Sequence, residues 1–318
     1  MTTDFSHSQQ YLPVELQSLK TGIREIEFDI FVKLSDENYV QLFSKSLGID
    51  YRRLFKYESR GVREFHVRAE EFESYLRFAS FTASQLLVSA SVSREKKIAS
   101  LISLTEQCLV QVFSLSVFDE KVIAEIKTLV NHFIAFVEVD PGALVILLKL
   151  ISQGGYLYYH SVSVMVFSLF LARRTQLFSR QAVQQVAIGA LLHDFGKTAP
   201  IDAVDLEHPV RGVEKLGNLI DEKSVIRKII IEHHEQPSGK GYPYGLRGSE
   251  ISVEAKLVSV ANVFNSLISE RPHRKAISTG AAIDFIVGQP EVFDSNSAQV
   301  LSLVFASSTK TPARRRRS

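Results

Sequence analysis

The chain has 318 residues, 45% of them hydrophobic and 23% charged, with a formal net charge of +2. That is the mix of an ordinary globular protein of about two domains, and the near-balanced charge excludes a globally nucleic-acid-binding surface. The single cysteine, Cys108, excludes an intrachain disulfide and fits a reducing, cytoplasmic setting; in its apolar stretch it reads as a small buried hydrophobe.

Residues 1–10 are polar and lack the basic-then-apolar order of a secretory leader. Residues 27–34 alternate, with Phe28, Ile30, Val32 and Leu34 on one face, the period of a half-buried strand. Turn residues Asp36, Glu37 and Asn38 precede a second run at 39–43, so the two predict a hairpin. A helix over 50–57 has Asp50 as its N-cap and Gly61 as its close. A strand over 62–67 comes next, then a helix over 70–88 with Phe72, Leu76, Ala79 and Ala83 on one face.

From about residue 93 the pattern is helical. Ser93, then Ile98, Leu101, Ile102 and Leu109, marks one amphipathic helix, and residues 118–137, with Asp119 near the start, mark another. Asp140-Pro141-Gly142 is a strong breaker and places a domain boundary. The expectation is an α+β protein. A mixed α/β domain over 1–140, α/β to about residue 90 and helical beyond, precedes an all-α domain over 141–310. The longest apolar runs, such as 143–148, are too short to span a bilayer. After Thr311 and Pro312, the arginines 314–317 read as part of a disordered, solvated basic tail over 311–318.

Five histidines of the second half form an ordered pattern with an aspartate. His160 lies in a helical run over 156–172. His193-Asp194 ends the apolar run 187–192. His208 precedes Pro209, and His233-His234 ends the apolar run 225–231. A lone histidine on an apolar face is usually a satisfied core residue, and His66 and His132 read that way. Five at helix boundaries, with an aspartate beside one, point to metal. Imidazole with carboxylate suits Zn, Mn, Fe or Ni better than Mg or Ca, and a carboxylate's two oxygens allow it to bridge two ions. The loop 238–245 is rich in glycine, which permits close backbone approach or positive φ, although a plain surface turn has the same composition.

The run Leu191-Leu192-His193-Asp194-Phe195-Gly196-Lys197 resembles the signature of the HD superfamily of metal-dependent phosphohydrolases. His233-His234-Glu235, followed by Gly239 and Gly241-Tyr242-Pro243, resembles the second signature of its HD-GYP subfamily. His160 with Val164, His208-Pro209 with Gly212, residues 259–267 and Arg271-Pro272-His273-Arg274 extend the likeness over roughly residues 141–305. Known members of that subfamily hydrolyse the bacterial second messenger cyclic di-GMP.

The resemblance implies an all-α helical bundle with a binuclear centre of transition-metal ions, iron or manganese first, zinc or nickel next. His160, His193 and Asp194 would bind one ion. Asp194 would bridge to a second held by His208, His233 and His234, and Asn262 would stand at a further ligand position. A hydroxide between the ions would attack phosphorus, giving linear pGpG or GMP. Asp194 and Lys197 would be the catalytic residues. Lys197, Arg271, Arg274 and the loop residues Gly241, Tyr242 and Pro243 would meet the substrate. The N-terminal domain, or the Gly-Tyr-Pro loop, would receive a signalling partner.

The chain departs from the pattern at several points. Relatives carry an aspartate ligand at the position of Asn262. Some carry a glutamate, supporting a third metal, at that of Tyr156. An aspartate is usual where Ser238 stands and a tyrosine where His273 stands. Only about fifteen residues separate His193 from His208, fewer than in relatives, which predicts a more open site. The alternative expectation is therefore a metal-containing module that binds a cyclic dinucleotide or a partner protein without turnover, or an HD hydrolase of another nucleotide.

Overall fold

The structure is a computed structural model that describes residues 11–15, 19, 25–35, 38–62, 64–114, 118–139, 156–198, 205–271 and 274–308. The breaker 140–142, the arginine tail, Pro272 and His273 lie outside these residues. The chain divides into two compact units, Met1–Phe118 and Asp119–Ser318.

In the first unit the expected hairpin forms from β2 (Ile30–Ser35) and β3 (Asn38–Phe43), paired antiparallel. With β1 (Tyr11–Glu15) and β4 (Glu64–Arg68) they make a sheet of order β1-β4-β2-β3. Phe28, Ile30 and Val32 are buried as their alternation requires, but Leu34 is 66% exposed. A register shift between Lys33 and Ser35 ends the alternation there. Phe31, on the opposite face, is buried too; its ring meets Tyr11 edge-on and lies beneath the Arg68 guanidinium. The sequence pattern does not predict β1. That strand carries Pro13, which a sheet tolerates at an edge, and β1 is an edge.

Asp50 caps α1 (Tyr51–Ser59), its side chain accepting from the backbone N–H groups of Arg52 and Arg53. Two longer helices come next, α2 (Phe72–Val88) and α3 (Arg94–Ser114). Phe72, Leu76, Ala79 and Ala83 are buried on α2, and Cys108 is fully buried on α3.

Among its described residues the regular elements of the second unit are all helices. It runs α4 (Glu120–Val139), α5 (Tyr156–Thr175), α6 (Arg180–Leu192), α7 (His208–Leu216), α8 (Val225–Glu232), α9 (Val253–Ile268), α10 (Thr279–Val287) and α11 (Ser295–Ser308). The helix α4, grouped by the sequence pattern with the first domain, packs on α6 and α5 of this unit. Helix α5 touches α4, α6, α9 and α11. From Ser161 to Ala172 it is buried on nearly all sides, Ser161, Ser163 and Ser168 included and only Phe170 partly exposed, as a helix without a polar face must be. Phe167 meets Phe264 edge-to-face, and Phe305 packs tilted against both, joining α5, α9 and α11. Serines at 179, 224 and 252 cap α6, α8 and α9 by accepting from N3. The result is a mixed α/β region followed by an all-α bundle, as the sequence implied.

Candidate metal centre

Two helices end by handing a histidine to the same place. Helix α6 stops at His193 and α8 stops at His233, each the C-cap of its helix. The last carbonyls of a helix lack intrahelical donors. Here the ring Nδ1 of His193 donates to Ala190 O at 2.8 Å and that of His233 to Ile230 O at 2.9 Å. His208, at the start of α7, does the same to Asp205 O at 2.5 Å. His160 Nδ1 lies 2.7 Å from Asn265 Oδ1 on α9. A carbonyl oxygen can only accept, so these rings carry their proton on Nδ1 and turn the Nε2 lone pair the other way.

What the Nε2 atoms face is Asp194, buried at 5% exposure. Its Oδ2 lies 3.4 Å from His193 Nε2 and 3.9 Å from His160 Nε2, while Oδ1 lies 3.3 Å from His208 Nε2 and 3.9 Å from His233 Nε2. Donor atoms of His160, His193 and Asp194 lie within 4.8 Å of one another, and so do those of Asp194, His208, His233 and His234. The grouping matches the two ligand sets that the family resemblance implies, with Asp194 common to both.

The donor set fits a pair of metal ions on three counts. His208 Nε2 and His233 Nε2 stand 3.1 Å apart with both Nδ1 protons already spent, so two lone pairs oppose each other. His193 Nε2 and Asp194 Oδ1 are buried without a hydrogen-bond partner, which is costly unless something else satisfies them. Four of the five imidazoles are held neutral. Burial first, then His193, pushes His160 down to about 4; burial and His208 push His234 down to about 3. Burial likewise lowers His208 and, with His234, lowers His233 well below its ordinary range. Burial works to raise the Asp194 carboxyl, but its surroundings, with the Lys197 ammonium 2.8 Å away, outweigh it and hold it well below the usual carboxylate range. Neutral imidazoles around one carboxylate are the protonation states that metal binding requires.

The supporting residues were only partly expected. Lys197 Nζ bonds Asp194 Oδ2 at 2.8 Å. Asn262 is buried on α9, and Asn265, one turn further along, is the one that holds His160. Tyr242 stacks on His234 with ring centroids 4.6 Å apart. Glu235 anchors that loop, its two carboxylate oxygens accepting from Tyr244 N and Leu246 N. Gly241 is needed because a β-carbon would strike the backbone of Glu235 and Gln236, a close approach to the chain itself. Pro243 is half-buried beside it. Arg274 donates to Ser266 O and Leu267 O, and Arg271 to the Ser266 hydroxyl at 2.6 Å; both guanidinium groups close the C-terminus of α9. The side chain of Tyr156 lies outside the described residues. Ser238 pairs with Arg247 in an isolated bridge.

Comparison with known proteins agrees with this geometry. The HD domain family model matches residues 202–296. The chain is 32% identical over 50% of its length to the cyclic di-GMP phosphodiesterase PA4108 of Pseudomonas aeruginosa, covering 42% of that protein. It is 34% identical over 39% of its length to the cyclic di-GMP phosphodiesterase response regulator RpfG of Xanthomonas campestris pv. campestris, covering 37% of it. The chain thus spans about two-fifths of the length of these relatives. A solved structure, Bd1817, an HDG"Y"P protein from Bdellovibrio bacteriovorus, shares the fold with a TM-score of 0.70 at 20% identity, over 93% of this chain and 99% of that one. The bundle and its His/Asp cluster resemble those of HD-type domains. Over about half its length the chain is similar to cyclic di-GMP phosphodiesterases of the HD-GYP kind. Among the described residues no helix is long and apolar enough to cross a membrane.

Proposed function

We propose that this protein is a metal-dependent phosphodiesterase that opens cyclic di-GMP to linear pGpG, or on to GMP, at a centre of two transition-metal ions, iron or manganese by preference. The observation that carries the reading is the sharing of one buried carboxylate by two sets of inward-facing imidazoles. The metals would supply an activated water and neutralise charge on the phosphoryl oxygens.

Asp194, His160 and His193 would hold one ion, and Asp194, His208, His233 and His234 the other, with Asn262 adding an uncharged oxygen. Lys197, beside Asp194, is suited to bind a phosphate oxygen or to protonate the departing ribose oxygen. Arg271 and Arg274 would grip phosphate, and Gly241, Tyr242 and Pro243 would line the approach. The first unit, or the loop carrying Tyr242, would bind a signalling partner.

A second reading has one specific support. Asn262 and Asn265 are both neutral, and Arg271 and Arg274 are engaged with α9. A weakened centre would bind a cyclic dinucleotide and signal without turnover. The test is incubation of Mn²⁺- or Fe²⁺-loaded protein with cyclic di-GMP and chromatography of the products. Asp194-dependent pGpG or GMP supports the enzyme. Tight binding with no product supports the sensor, and neither binding nor product overturns both.

A further inference from the structure

The turn 194–198 meets the start of α7 backbone to backbone. A β-carbon on Gly196 would sit 1.9 Å from His208 O and 2.4 Å from Gly212 N. Two side chains of α7 fix its register. Lys215 Nζ donates to Phe195 O at 3.3 Å and lies over the Phe195 ring, and Arg211 supplies the link nearer the cluster. Its guanidinium binds both carboxylate oxygens of Asp205, and its Nε donates to Gly196 O at 3.1 Å. Asp205 also accepts from the backbone N–H of Thr198, and its own carbonyl takes the His208 Nδ1 proton. One planar group with donors in two directions therefore joins the turn carrying Asp194 to the residue that orients His208.

We infer that Arg211 is a positioning residue for the second half of the centre, setting His208 opposite Asp194. The inference rests on the reading of the cluster as a metal site. His160 is held by Asn265 and His193 by Ala190 O, neither through Arg211, so the first half stands on separate supports. Loss of Arg211 weakens one ion and spares the other.

The test uses full-length protein stripped with chelator and titrated with Mn²⁺ by calorimetry, with electron paramagnetic resonance to tell a coupled pair from an isolated ion. Wild-type protein takes two ions and shows the coupled signal. Arg211→Met keeps the first affinity, weakens the second by roughly tenfold or more and shows the isolated six-line signal. Asn265→Leu does the reverse, weakening the His160 half. Arg211→Lys keeps a charge beside Asp205 but cannot also bond Gly196 O. It gives the same selective loss and stands in should the methionine variant unfold. Unchanged affinities for both ions in the arginine variants, or parallel loss of both at an unaltered melting temperature, overturn the inference. A wild-type protein that takes no Mn²⁺ overturns the metal reading itself, a result distinct from either.

Discussion

Gly196 and His208 touch through their main chains so closely that no β-carbon fits between them. Gly196→Ala must therefore push α7 away from the turn carrying Asp194. The variant should lose on the order of 2–3 kcal/mol by overpacking, read as a lower urea midpoint with an unchanged slope. An unaltered midpoint would mean that the two segments part at little cost.

Asp194 has one oxygen toward each ligand set. Asp194→Ala should reduce bound metal from about two ions per chain to a small fraction, measured by elemental analysis after purification in Mn²⁺. Full occupancy in this variant would remove the bridging assignment.

An anionic oxygen binds a cation more tightly than an amide oxygen does. Asn262→Asp should keep its metal at chelator concentrations that strip the wild-type protein. Turnover should change as well, because a less compensated ion is a stronger Lewis acid but a less occupied one. Coincident chelator curves would show that Asn262 does not face the ions.

Arg271 and Arg274 are asked to serve two ends, the close of α9 and the substrate. Arg274→Ala removes donors from Ser266 O and Leu267 O and should cost roughly 1 kcal/mol of stability. The double alanine variant should raise KM for cyclic di-GMP about tenfold or more, the worth of a charge-assisted hydrogen bond, with metal content unchanged. An unchanged KM would leave the two arginines a purely structural role.

The buried imidazoles carry a pH signature in the metal-free protein. An unfolded histidine titrates near 6.5, whereas His160 titrates at about 4 and His234 at about 3. Between those limits the unfolded chain binds more protons than the folded one, so stability is complete above pH 6.5 and falls as the pH drops toward 4 and 3. Urea midpoints of stripped protein from pH 8 to pH 4 should decline through that window, and saturating Mn²⁺ should raise the midpoint at its upper end. A midpoint that rises on acidification would contradict the burial of neutral rings.

The His/Asp cluster was legible in the sequence because its histidines sit at or near helix boundaries that composition marks, and because the order of the motifs resembles a known family. The hairpin and the Asp50 cap were legible for the same local reasons. What escaped were relationships between distant or irregular positions. Asn265 reaches His160 across 105 residues; its only sequence signal is its place one turn beyond Asn262. Arg211 showed only the ordinary helical spacing of its pair with Glu207; the partners that matter here are a side chain six residues back and a backbone carbonyl fifteen back. Leu34 was misplaced because a register shift ends a strand's alternation without marking the composition. The assignment of α4 to the first domain came from the breaker at 140–142, whereas the helix packs against α5 and α6 on the far side of it.

The four tautomer locks differ in what mutation can reach. His193, His208 and His233 lean on main-chain carbonyls, which every residue type supplies, so the direction of His193 and His233 survives the exchange of Ala190 or Ile230 for another side chain, whereas His208 also depends on the Asp205 carboxylate held by Arg211. His160 alone among the four leans on a side chain. Position 265 is thus where sequence drift can retune the centre's electronics while leaving its architecture standing. The amide there is the one ring support among the four that a side-chain exchange can remove outright.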